Sequence, residues 1–74
     1  MKLQDIRKKR DLSQRQLADE AGVPLQVLQR YEMGYRNIDG ADLERLCDLA
    51  IALDCKVYDI LESNVLIEKL KKTT

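Results

Sequence analysis

Residues 13–36, SQRQLADEAGVPLQVLQRYEMGYR, constrain this chain more than any other stretch. They hold two short segments with helical apolar spacing and a glycine between them. Ser13 and Gln16 have the spacing of a capping box, in which the Ser side chain takes a free backbone N–H and the Gln reaches back. A helix over 14–21 follows, with Leu17, Ala18 and Ala21 as its buried face. Ala18 is small where another helix has to cross closely. Gly22 suits the left-handed residue that ends such a helix. Val23 points inward, and Pro24 suits the first turn of a next helix, where a missing N–H costs nothing. That helix runs over 24–33 with Val27, Leu28 and Tyr31 inside, and Gly34 stops it. Leu25, Gln26, Gln29 and Arg30 are left on its outer face.

The rest of the chain reads as support for this pair. Residues 2–10 form a first helix, with Leu3, Ile6 and Arg7 on one face and Lys2, Lys8, Lys9 and Arg10 mainly exposed. Asp11 breaks the pattern, and Leu12 turns back to the core. Residues 35–39 form a loop. Asp39 caps a fourth helix, with Asp42 and Glu44 favoured in its first turn by the helix dipole. Its predicted buried face is Leu43, Leu46, Cys47, Ala50 and Leu53. After a short turn at 54–56, Val57, Ile60 and Leu61 give one or two turns of a fifth helix. Ser63 and Asn64 interrupt the chain, and a tail follows with Leu66, Ile67 and Leu70 at helical spacing. Period-2 alternation is sustained nowhere, so strands have no sequence support. There is no internal repeat, linker or low-complexity segment.

Seventy-four residues suit one small domain with a single core. The only aromatics are three Tyr, so aliphatic side chains must build that core. The N-terminus alternates charge and has no apolar segment of the signal-peptide kind. No run approaches the ~18 apolar residues of a membrane span. Cys47 and Cys55 can form at most one bridge, a poor match to a disulfide-dense scaffold, so reduced thiols in the cytoplasm are expected. The chain has no His. Two cysteines eight apart without His make no zinc site, and nothing resembles a phosphate loop. Cys47 falls on a core face, and Cys55 has no obvious base beside it, so neither marks an enzyme or a redox sensor. No cofactor, metal or membrane is expected.

Formal net charge is zero, but its distribution is uneven. Residues 1–36 hold eight Lys/Arg against five Asp/Glu, and residues 37–74 hold five against eight. The basic half contains the glycine-hinged pair. Polarity of this kind can orient a protein on an anionic surface, although scattered charge on a solvated surface looks the same.

Over residues 14–34 the pattern is Q-x-x-L-A-x-x-x-G-V, then L-x-x-Y-E-x-G. R-K-x-R precedes it, and L-x-x-L-x-x-x-A-x-x-L-x-C-x-x-x-D-I-L follows. These motifs resemble the phage-repressor and Cro-like helix-turn-helix family, also called the xenobiotic-response-element type, from about Leu3 to Leu61. The resemblance implies an all-α, five-helix lambda-repressor-like DNA-binding domain over residues 1–63, with its reading motif at 14–34. Residues 64–74 then form a short tail with helical spacing, a candidate dimer contact. A major groove about 12 Å wide admits one helix, and in this family the second helix of the motif enters it.

The base-contact positions implied are Leu25, Gln26, Gln29 and Arg30. Gln26 can pair with adenine N6 and N7, Arg30 with guanine O6 and N7 or a phosphate, and Leu25 with a thymine methyl. Without the family motif, such a row is what any solvated helix face carries. Gln14 matches a phosphate-contacting residue of the family, and Arg15, Tyr35, Arg36 and Asn37 are flanking backbone contacts that set register rather than sequence. Arg7 and Glu32 match a largely buried ion pair, so both are structural. Pro24 departs from the pattern, because Ser or Thr often stands there as a cap that can also hold a phosphate. The implied partner is double-stranded DNA, bound by a homodimeric transcriptional repressor. The competing reading is an antitoxin-like module that holds a toxin-like protein partner.

Overall fold

The computed structural model describes residues 1–73. Five α-helices follow one another: α1 Lys2–Lys9, α2 Gln14–Ala21, α3 Leu25–Met33, α4 Leu43–Leu53 and α5 Asn64–Thr73. Single 3-10 turns at Ile38–Gly40 and Val57–Asp59 join the later helices. Among the described residues there is no strand.

The ends of α2 and α3 are set locally. At the start of α2 the Ser13 Oγ accepts from the Gln16 N–H at 3.0 Å, and Gln16 Oε1 accepts from the Ser13 N–H at 2.8 Å. Gly22 and Gly34 end the two helices at φ +67° and +83°, where a Cβ would be strained. Two aspartates perform the same reversal elsewhere. Asp11 follows α1 at φ 57° and Asp54 ends α4 at φ 53°. Short polar side chains tolerate this region better than most.

One core forms where the helices meet. Leu3, Leu17, Leu28, Leu49, Leu53 and Ile60 are fully buried within it. α2 packs on both α3 and α4, which fixes the angle of α3 against the body. Ala18, 3% exposed, allows that close crossing. Arg10 adds a link that its exposed position in the sequence pattern conceals. Its Nε donates to the Leu53 carbonyl at 2.9 Å and its Nη2 to the Asp54 carbonyl at 3.1 Å. A cation thus caps the C-terminal end of α4, where the dipole favours it.

The structure corrects several sequence expectations. α1 ends at Lys9 rather than residue 10. Pro24 is the residue before α3, not its first helical residue, and offers no side-chain cap. Asp39 does not cap α4, which starts after Asp42. Its carboxylate instead accepts the Glu62 and Ser63 N–H groups at 2.8 and 3.2 Å, tying the α3–α4 loop to the start of α5. Leu43 and Cys47 leave the predicted inner face of α4: Leu43 is 67% exposed and Cys47 half-buried, while Leu49 is fully buried. Val57–Asp59 is a single 3-10 turn, so the fifth helix is the tail itself. Ser63 begins that helix instead of interrupting the chain, its Oγ accepting from the Leu66 N–H at 3.3 Å. Ile67 anchors α5 to the core.

Candidate nucleic-acid interface

α3 is seated on a buried ion pair. Arg7 Nε donates to Glu32 Oε2 at 2.8 Å and Nη2 to Oε1 at 2.9 Å, a bidentate pair between α1 and α3. Arg7 Nη1 donates to the Leu12 carbonyl at 2.8 Å. The Glu32 side chain is 1% exposed and that of Arg7 10%. Two side chains from the motif join this pair. Gln14 Nε2 donates to Glu32 Oε1 at 3.1 Å, and Gln29 Nε2 donates to Gln14 Oε1 at 3.4 Å. A carboxylate can only accept, so Glu32 fixes which end of the Gln14 amide faces it.

The predicted contact residues therefore divide. Gln26 and Arg30, four residues apart on one face of α3, are exposed. Leu25 and Gln29 are not fully outside as the periodicity suggests. Both are half-buried, Leu25 against the core and Gln29 toward Gln14. Leu28 and Tyr31 anchor the opposite face, at 0% and 3% exposure. Arg15 stands exposed on α2. Tyr35 is 80% exposed, and its backbone N–H donates to the Arg30 carbonyl at 2.9 Å. Arg36 lies over the Tyr31 ring, its guanidinium carbon 5.9 Å from the centroid, and its N–H also reaches the Arg30 carbonyl. The Asn37 Oδ1 accepts from the Asp39 N–H at 3.0 Å. The structure thus joins Arg7, Gln14, Gln29 and Glu32 into one network. It leaves Gln26, Arg30, Arg15, Tyr35 and Arg36 as an exposed row and rim.

Both cysteines are free thiols. Burial pushes the Cys55 thiol above its ordinary pKa, Asp59 and Asp54 add to this, and Arg10 opposes it. Among the described residues no group of three or more His, Cys, Asp or Glu side chains is placed to hold a metal ion. Among the same residues no helix is long and apolar enough to cross a membrane.

Two short helices joined at a left-handed glycine, the second presenting polar side chains outward from a buried ion-paired base, define a helix-turn-helix module. The family model described as helix-turn-helix matches residues 3–59, and the chain belongs to this family, in its Cro-like, xenobiotic-response-element type. It is a DNA-binding regulator of that class. No curated protein and no solved structure matches the chain significantly.

Proposed function

We propose that this protein is a sequence-specific double-stranded-DNA-binding transcriptional repressor of the cytoplasm that acts as a homodimer. The observation that carries this reading is the division within α3. Leu28 and Tyr31 lock one face into the core, and Gln26 and Arg30 stand free on the other. A helix held this way can enter a major groove without rearranging. Gln26 pairs with adenine, and Arg30 with guanine or a phosphate. Leu25 and Gln29 contribute at the edges of the row, Leu25 through a thymine methyl. Gln14, Arg15, Tyr35, Arg36 and Asn37 hold the two backbones beside the groove. Two copies reading half-sites about one helical turn (~34 Å) apart supply the base contacts one small module lacks.

Substitution separates the two kinds of contact. Gln26→Ala is expected to relax preference at one base pair by about 1–3 kcal/mol. Arg36→Ala is expected to weaken all sequences alike and to lower the salt slope by about 1. Titrations on a preferred and a scrambled duplex across salt check this. Equal losses on both duplexes for Gln26→Ala would remove it from the base-reading row.

A further inference from the structure

The segment between α3 and α4 carries Tyr35, Arg36 and Asn37, the backbone contacts proposed above. It also carries an acid, Asp39, two residues beyond Asn37. A carboxylate beside a row of phosphates is unfavourable unless something else uses it. Asp39 Oδ1 accepts the Glu62 N–H at 2.8 Å and the Ser63 N–H at 3.2 Å, 23 and 24 residues away along the chain. Those amides lie just ahead of α5, at the end of a helix where the dipole favours an acid.

The segment has three supports. At its start the Tyr35 and Arg36 N–H groups both donate to the Arg30 carbonyl of α3, at 2.9 and 3.2 Å. In its middle Ile38 is 2% exposed in the core. Asn37 Oδ1 and the Asn37 carbonyl accept from the Asp39 and Gly40 N–H groups, which makes one tight turn of residues 37–40. The third support is Asp39. Among the described residues, the two bonds that it accepts are the only hydrogen bonds joining residues 35–41 to any element other than α3. Their far end is itself fixed. Glu62 Oε1 accepts the Lys2 N–H at 2.9 Å, and Ile67 anchors α5 in the core.

We propose that Asp39 is a positioning residue of the DNA interface, and that its bridge to the start of α5 holds Arg36 and Asn37 in line with α3. Asp39 touches no DNA and acts through those two residues. The inference rests on the DNA-binding reading above and gives the tail a part in it. Two simpler roles make different demands. If the acid only repelled phosphate, losing its charge in any form would tighten binding. If it only capped α5, DNA affinity would not follow it.

The test uses the full-length chain with Asp39→Ala and Asp39→Asn. Asn keeps the accepting oxygen, and Ala does not. Circular dichroism checks folding, amide exchange is followed at Glu62 and Ser63, and a selected and a scrambled duplex are titrated across salt. Asp39→Ala is expected to speed exchange at both amides. It should weaken both duplexes alike by about 10-fold, the scale of one lost hydrogen bond to a charged group. The salt slope should fall by about 1. Asp39→Asn keeps the slow exchange and binds as the wild type does or tighter. In an Arg36→Ala background Asp39→Ala costs little more, because both changes act on one contact. If Asp39→Ala loses helix content, Asp39→Ser, whose oxygen stops one bond short, takes its place in the same comparison. Unchanged or tighter binding by the Ala variant, an Asn variant as weak as it, or a full additive loss in the Arg36→Ala background overturns the role of Asp39. Failure of the DNA reading looks different. A wild type that binds no duplex overturns both. A wild type that binds both duplexes equally overturns only sequence specificity, and Asp39→Ala must still lower that common affinity.

Discussion

Arg7→Ala is expected to cost about 3–5 kcal/mol of folding stability. The Glu32 side chain is 1% exposed, and both its oxygens are held by Arg7. Removing the guanidinium leaves that carboxylate with only Gln14 and strands the Leu12 carbonyl. A domain of this length has only about 4–11 kcal/mol in total, so the loss is a large share of it. Urea or thermal melts of Arg7→Ala and Glu32→Ala measure it, with a fall in Tm of about 15 °C or more expected. The double variant Arg7→Met/Glu32→Leu should recover much of the loss, because a buried pair stabilises little over apolar side chains of similar volume. It should not recover DNA binding fully, since Gln14 loses the acceptor that orients it. An Arg7→Ala variant within about 1 kcal/mol of wild type would mean that water reaches Glu32 and that the pair is not the base of α3.

Leu49→Ala and Leu43→Ala are expected to differ sharply although both sit on α4. Leu49 is fully buried, and its truncation should cost about 2–5 kcal/mol. Leu43 is 67% exposed, and its truncation should stay within about 0.5 kcal/mol at concentrations where the chain is monomeric. Equal losses in chemical denaturation would contradict the placement of α4.

That contrast shows where the sequence stops being informative. Both Leu43/Leu46/Cys47/Ala50 and Leu46/Leu49/Ala50/Leu53 have helical spacing, so periodicity alone cannot choose between them. The choice is made by the 3-10 turn at Ile38–Gly40, which buries Ile38, and by the packing of α4 on α2. Signals carried by near neighbours were legible. The capping box of Ser13 and Gln16, the glycine stops at 22 and 34 and the buried faces of α2 and α3 follow from a few adjacent residues. Links across the chain were not. Asp39 bonding to residues 62 and 63, and Arg10 bonding to the end of α4, depend on where distant elements meet.

The candidate site divides in the same way. The Arg7–Glu32 pair was legible through the family motif, and the structure shows it as a bidentate contact. The link from Glu32 through Gln14 to Gln29 was not, because it requires the crossing angle of α2 and α3. It gives Gln14 and Gln29 a structural part beside the DNA contacts proposed for them, because both are half-buried members of the network that seats α3. The proline ahead of α3 matters less than its departure from the motif suggests. Its carbonyl accepts from the Val27 and Leu28 N–H groups at 3.0 and 3.1 Å, so the first turn of α3 forms without a side-chain cap.

Selection of bound sites from random duplexes, followed by titration against salt, tests the regulator reading most directly. The expected result is a two-fold pair of half-sites about one turn (~34 Å) apart. The selected site should bind about 10³-fold or more tighter than random duplex, with affinity falling steeply as salt rises. Recovery of no common sequence, with equal affinity for selected and random duplex at about 100 mM salt, would contradict it.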